Sequence, residues 1–313
     1  MSGRCGRKVW ERDISGVTLF YGQGGDGLLT ADAGVAVALG ESVIRGYGLA
    51  DGAVRWTVKV TDPEDARGDD AECAPEVASA TGGTTRVVVT CGGYTEFRSA
   101  WLVTLDNATG KELNRRALPV ESALSEALVI SADPFTLLVR ERDERGVAAA
   151  LSYGGPNEAD AEPVTIPLTA DEEDLAVVTE TTDVLSARPA LRAVVSGSTL
   201  VVAAAEPGAD RVERVSGYSL ADGRRRWHAD LGTTVVALAP AGRDRVAVLG
   251  DNQRLWTFAA GDGARIGEED GTTLREVRWK VYSAAQLLKV GDRWIVVNAN
   301  GDAYPPALAV SPR

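Results

Sequence analysis

The chain holds one histidine, His228. That count removes two-histidine metal sites and any catalytic relay needing a second imidazole. His228 follows a tryptophan inside RRRWHADL, a strand-like run, and reads as a surface or interface residue rather than a base. Serine offers no nucleophile elbow: no Gly-x-Ser-x-Gly occurs, and VVSGSTLVV (Val194 to Val202) reads as a turn joining two strands. No Walker sequence or dinucleotide fingerprint leads from a strand into a helix. GQGGDG (Gly22 to Gly27) is glycine-rich, yet no helical pattern follows to offer its N-terminus to phosphate, so it reads as a loop. Two acidic runs, TDPEDARGDDAE (Thr61 to Glu72) and TADEEDLA (Thr169 to Ala176), raise calcium as a ligand. Neither has EF-hand spacing, and both read as solvated loops, with calcium the weaker alternative. No residue is assigned to catalysis, to a cofactor or to a metal.

Cysteine chemistry points to location. Cys73 and Cys91 frame a segment that ends in TTRVVVTC, a central-strand composition. A disulfide between neighbouring antiparallel strands would close that loop and contribute about 3 kcal/mol. The alternative is a pair of buried thiols. The disulfide is the favoured reading, and with it an extracytoplasmic setting; the thiol alternative goes with the cytoplasm. Cys5 has no evident partner and lies in residues 1–7, which read as a flexible N-terminal segment.

The bulk numbers narrow the partners. At 313 residues, 44% hydrophobic and 25% charged, the chain can bury a core. Its net charge of −12 repels phosphate backbones and anionic lipid, which excludes nucleic acid as an expected partner and favours a basic patch on a protein one. No run reaches the ~20 apolar residues of a membrane span. MSGRCGRKVWERD lacks the apolar stretch of a signal peptide, so an extracytoplasmic chain implies a leader or anchor outside it.

Strand signals dominate the elements available to position any site. TRVVVT, RAVVSGSTLVVAAA, DRVAVLG and DRWIVVNAN are short β-rich runs bounded by Gly, Asp and Asn. No helical periodicity persists over a useful length. The chain reads as all-β.

One phrase recurs among these runs. GYGLADGAVRW (Gly46 to Trp56) and GYSLADGRRRW (Gly217 to Trp227) share Gly-Tyr-x-Leu-Ala-Asp-Gly-x-x-x-Trp. Weaker echoes stand in WLVTLDNATGKELNRR (Trp101 to Arg116) and LWTFAAGDGARIGE (Leu255 to Glu268). Each is an apolar strand, a tight turn and a strand that begins charged. The turn glycines are Gly52, Gly110, Gly223 and Gly263, with Asp51, Asp222 and Asp262 before three of them. Glycine suits the positive φ that such hairpins need. The gap from Gly110 to Gly223 is about twice that from Gly52 to Gly110, which implies a hidden copy near Leu151 to Leu168. A unit of roughly 40–60 residues ending in a hairpin with a Trp points to a propeller blade. Trp56 and Trp227 would then fill the interfaces between blades.

The repeat resembles that of pyrroloquinoline-quinone-like β-propellers, of which LDNATGKELN and LADGAVRW match the centre. The richness in Arg over Lys, and in Ala, Gly and Val, resembles chains of high-GC bacteria. The resemblance implies one propeller domain over residues 8–313 with six four-stranded blades, near residues 27–60, 73–119, 127–168, 189–231, 235–268 and 282–310. The last blade offers three strands, and KVWERDI (Lys8 to Ile14) is expected to add a fourth and close the ring. Seven blades arise if LAVVTETTDVL (Leu175 to Leu185) pairs within a sheet of its own. Quinone enzymes of the family use calcium, an active-site Asp and usually adjacent cysteines; no two cysteines are adjacent here, so no cofactor is expected. The expected role is a non-catalytic binding, scaffold or sensor module of a bacterial envelope protein, with a protein or peptide partner. The alternative is a propeller enzyme acting on a sugar or alcohol in the central funnel.

Overall fold

The computed structural model describes residue 11 and residues 29–62, 73–93, 96–143, 148–154, 162–170, 173–177, 191–270, 285–291, 293–298 and 307–310. Every regular element among them is a β-strand. The strands form six antiparallel sheets in chain order. Sheet 1 is β1 (Leu29–Asp32), β2 (Val35–Leu39), β3 (Val43–Gly48) and β4 (Val54–Lys59). Sheet 2 is β5 (Cys73–Thr81), β6 (Thr84–Gly93), β7 (Glu96–Asp106) and β8 (Glu112–Ala117). Sheet 3 is β9 (Leu124–Ala132), β10 (Phe135–Glu141), β11 (Ala148–Tyr153) and β12 (Val164–Pro167). Sheet 4 adds two short strands, β13 (Thr169–Ala170) and β14 (Glu173–Leu175), to β15 (Ala193–Ser196), β16 (Thr199–Ala205), β17 (Arg214–Ser219) and β18 (Arg225–Asp230). Sheet 5 is β19 (Val235–Pro240), β20 (Arg245–Gly250), β21 (Arg254–Ala259) and β22 (Arg265–Asp270). Sheet 6 has three described strands, β23 (Ala285–Val290), β24 (Arg293–Asn298) and β25 (Ala307–Val310).

The chain divides into two compact units, Met1–Asp133 with Val139–Val147, and Pro134–Leu138 with Ala148–Arg313. In the first unit, β1 lies beside β5 and β5 beside β9. In the second, β15 lies beside β19 and β19 beside β23. Within each unit, the first full-length strands of successive sheets therefore adjoin, and the later strands lead away from that line.

Burial explains this stacking. The second strands are apolar on both faces: β2 is buried at every residue, and so is β16. A sheet of that kind needs cover on two sides, which a neighbouring sheet provides. In the first unit Val35, Val37, Leu39 and Ile44 pack with Val87, Val89, Val103 and Leu105. In the second, Val201, Ala203 and Val215 pack with Val246, Val248 and Phe258. Sheet 5 presents its other face, through Ala237, Ala247 and Leu249, to Leu287, Trp294 and Val296. The fourth strands are amphipathic; β4 and β18 bury one tryptophan each among exposed neighbours.

Two sequence expectations meet a different arrangement. The acidic run at Thr169 to Ala176 is not wholly a solvated loop, because Glu173 lies in β14 and is 0% exposed. The described part of Leu175 to Leu185 joins sheet 4: Leu175 pairs with Ala204, on the edge of β16 that β15 also occupies. Apart from Glu11, which is in no regular element, the expected closing strand at residues 8–14 lies outside the described residues, as do the loop at 22–27, Cys5 and most of the first acidic run.

Candidate functional site

The turns that join the third and fourth strands of sheets 1, 2, 4 and 5 are copies of one six-residue structure. In each, the first N–H donates to the last carbonyl: Gly48 to Ala53, Asp106 to Lys111, Ser219 to Arg224 and Ala259 to Ala264, at 2.8 to 2.9 Å. The turn glycine donates back to the first carbonyl, Gly52 at 2.7 Å, Gly110 at 2.8 Å, Gly223 at 2.9 Å and Gly263 at 3.0 Å. These glycines sit at φ of 64°, 70°, 70° and 71°, a left-handed conformation costly to a residue with a Cβ. The side chain before each glycine accepts the N–H two residues on: Asp51 from Ala53 (3.0 Å), Thr109 from Lys111 (3.3 Å), Asp222 from Arg224 (3.2 Å) and Asp262 from Ala264 (3.0 Å). Such Asx and Thr turns are the local chemistry that selects these residue types. Each turn is also tied to the first hairpin of its own sheet, through Leu49 to Gly34, Asn107 to Gly83, Leu220 to Ser198 and Ala260 to Asp244.

Hydrogen bonding holds three of the turn carboxylates charged. Asp51, Asp106 and Asp222 lie below the ordinary carboxylate range. The chief donors are the Ala53 N–H, the Thr109 hydroxyl and the Ser219 hydroxyl respectively.

Trp56 and Trp227 occupy equivalent seats. The Trp56 indole N–H donates to the Asn107 carbonyl at 2.8 Å, and Trp227 donates to the Ala260 carbonyl at 2.7 Å. Each acceptor is the second residue of the next sheet's turn. One face of each indole rests on that turn's glycine: a Cβ on Gly110 would stand 2.6 Å from Trp56 Cδ2, and one on Gly263 would stand 2.5 Å from Trp227 Cδ2. The other face lies on a glycine of the Trp's own sheet. A Cβ on Gly46 would stand 2.2 Å from Trp56 Cε2, and one on Gly217 would stand 2.2 Å from Trp227 Nε1. Gly46 and Gly217 are the direct cross-strand partners of the two tryptophans, each at a β-bulge. The corresponding pairs in sheets 2 and 5 are Thr104 with Asn114 and Thr257 with Gly267, at bulges in the same place. Gly223 receives a backbone instead, with the Thr165 carbonyl of β12 2.7 Å from where its Cβ would be. Gly46 and Gly217 open the repeated phrase, yet only the strand register shows that they make room for the ring.

Cys73 and Cys91 are a direct cross-strand pair joined by a disulfide, buried in the core between sheets 1 and 2. His228 is exposed on β18, opposite Ser216. Glu173 accepts the Tyr218 hydroxyl at 2.5 Å and the Ser216 hydroxyl at 2.8 Å, with Arg225 and Arg214 at 3.4 and 3.6 Å. Burying a carboxylate is costly unless it is paired and hydrogen-bonded in this way. Here it fastens the short β14 across sheet 4. No group of three or more His, Cys, Asp or Glu side chains stands at metal-holding range among the described residues. No described helix is long and apolar enough to cross a membrane.

No family model and no curated protein matches the chain. Among solved structures it is similar to a chain in the crystal structure of the mitotic checkpoint complex, with 12% identity, 100% of this chain and 83% of that one covered, and a TM-score of 0.51. BamB from Moraxella catarrhalis aligns with 18% identity over 91% of this chain and 75% of its own, at a TM-score of 0.42. Apo AztD from Citrobacter koseri aligns with 12% identity over 92% and 73%, at 0.48. The likeness to the checkpoint-complex chain is one of fold and runs the whole length of this chain.

Proposed function

We propose that the chain is a non-catalytic β-propeller module that binds a protein or peptide partner through its turns, and that it works outside the cytoplasm. The six sheets are its blades, and the N-terminal strand at residues 8–14 completes the last of them. The observation that carries this reading is the set of four matching turns. Each is closed by its own backbone bonds, and two of them are clamped by a neighbouring sheet's tryptophan, so exposed loops sit on a frame that gives them little freedom. Loops held in that way serve recognition with small ordering losses on binding. The buried disulfide supports an oxidising compartment. The fold neighbour in a multiprotein assembly supports a protein partner rather than a substrate.

Photo-crosslinking tests the reading. A crosslinking amino acid placed at Leu49, Ala108 or Ala221, all exposed in the turns, should trap a discrete partner in the native host. The same residue at Thr57 or Ala117, exposed on fourth strands, should trap none. Equal trapping at both sets, or none at the turns, would refute binding through the turns.

A further inference from the structure

The net charge of −12 hides a polarity across the second unit. One rim of sheets 4, 5 and 6 is made of first hairpins and third-to-fourth turns, and hydrogen bonds tie its parts into one surface. The Leu220 N–H reaches Ser198, the Ala260 N–H reaches Asp244, and Trp227 reaches the Ala260 carbonyl. Gly197 abuts the Asp244 carboxylate, and the Lys289 ammonium donates to the Ala241 carbonyl at 3.2 Å. This rim carries Arg224, Arg226, Arg243, Arg245, Lys289 and Arg293, all exposed. Its described carboxylates are Asp222, Asp244 and Asp262, and two of these are turned onto backbone amides of their own turns.

Pairing separates this rim from the opposite one. There, Arg211 pairs with Glu213 at 3.3 Å, Arg214 with Asp230 at 2.7 Å and Arg254 with Glu268 at 3.1 Å, beside Glu206, Asp210 and Asp251. These three arginines are each neutralised by a neighbour, and Arg192, buried at the same end, donates to the Val235 carbonyl. On the turn rim, Arg226 pairs with Asp222 at 3.4 Å, and Lys289 lies over the Trp294 ring at 5.3 Å. Arg243, Arg245 and Arg293 make no ion pair among the described residues. Unpaired guanidinium groups held on a rigid surface are preorganised forks for carboxylates.

From this we infer that the turn rim of sheets 4 to 6 docks an acidic polypeptide segment; the inference rests on the binding-module reading and specifies its partner's chemistry. A polyphosphate strand fits less well. Asp222, Asp244 and Asp262 interrupt the cations, and the remaining surface repels a dense line of charge over the ~8 Å reach of electrostatics at physiological salt. A segment with spaced Asp and Glu side chains places its carboxylates at the arginines and leaves the aspartates unopposed.

Fluorescence anisotropy of a labelled peptide in which four glutamates are each separated by two serines, with the full chain, is the test, alongside an oligodeoxythymidine of similar length and phosphatidylglycerol vesicles. The peptide should bind, weaken as salt rises, and lose about tenfold or more in affinity with Arg224→Glu plus Arg243→Glu. Arg211→Glu on the opposite rim should change the affinity less than about twofold. If the double reversal unfolds the chain, Arg224→Gln plus Arg243→Gln should still lower affinity by about threefold. Absence of peptide binding, equal losses from Arg211→Glu, or tighter binding of DNA or vesicles would overturn the acidic-segment inference. Crosslinks trapped at the turns despite such a result would leave the binding module standing and remove only its acidic partner; absence of both would remove both.

Discussion

Gly217→Ala is the sharpest probe of the tryptophan seat. The added methyl would stand 2.2 Å from Nε1 and 2.3 Å from Cε2 of Trp227, against ring atoms that cannot rotate away. The indole would have to lift, and its other face is already pressed on Gly263. Lifting breaks the 2.7 Å bond to the Ala260 carbonyl and leaves a buried acceptor unmet, about 1–3 kcal/mol. Overpacking adds about 1–3 kcal/mol. The expected loss is therefore about 2–6 kcal/mol, a large share of the ~5–15 kcal/mol that holds a domain folded. Denaturant titration followed by far-ultraviolet circular dichroism measures it. Gly267→Ala is the control, because the methyl there meets open space; it should be neutral or stabilise by up to about 1 kcal/mol. With Trp227→Ala already present, Gly217→Ala should cost less than about 1 kcal/mol more. If Gly217→Ala matches Gly267→Ala, or its cost persists without the indole, the seat does not work as described.

Three further outcomes follow from other parts of the molecule. Replacing both Cys73 and Cys91 with alanine opens a loop of sequence separation 18 and should lower stability by about 3 kcal/mol, read as a lower denaturation midpoint. Glu173→Ala takes the buried carboxylate from two hydroxyls and from Arg214 and Arg225, although Arg214 keeps Asp230, and should cost about 3–5 kcal/mol, whereas Tyr218→Phe should cost about 1–2 kcal/mol; equal effects would contradict a charge-centred clasp. The carboxyls of Asp51, Asp106 and Asp222 have lower pKa values folded than unfolded, so their contribution is full above about pH 4 and disappears as pH falls through the lower folded values. Replacing all three with asparagine should flatten the acid limb of a stability–pH curve and leave its slope near neutrality unchanged.

Local chemistry was the legible part of this molecule. The all-β class is written in short β-rich runs, and the Asp-Gly and Thr-Gly pairs advertise a turn because few residues tolerate its φ. The disulfide was visible as two cysteines bracketing a strand pair. What stayed hidden depends on register or on distant partners. Gly46 and Gly217 matter only because a bulge sets them opposite Trp56 and Trp227. Gly110 and Gly263 gain their second task from a tryptophan belonging to the preceding sheet. Glu173 sits in a run of like residues, and nothing in that run marks it as the one that crosses toward Tyr218 and Arg225. The basic rim is assembled from arginines and a lysine far apart in sequence, so a net-charge argument does not reveal it.

The direction in which the tryptophans reach has a bearing on synthesis. Trp56 finds its acceptor 51 positions later and Trp227 finds its own 33 positions later, in both cases toward the C-terminus. During translation each indole must therefore emerge from the ribosome unsheltered and wait for the following hairpin. Vectorial assembly is built into the design, and a nascent chain stalled between an indole and its acceptor would expose a greasy handle for chaperones or for its neighbours on the same message.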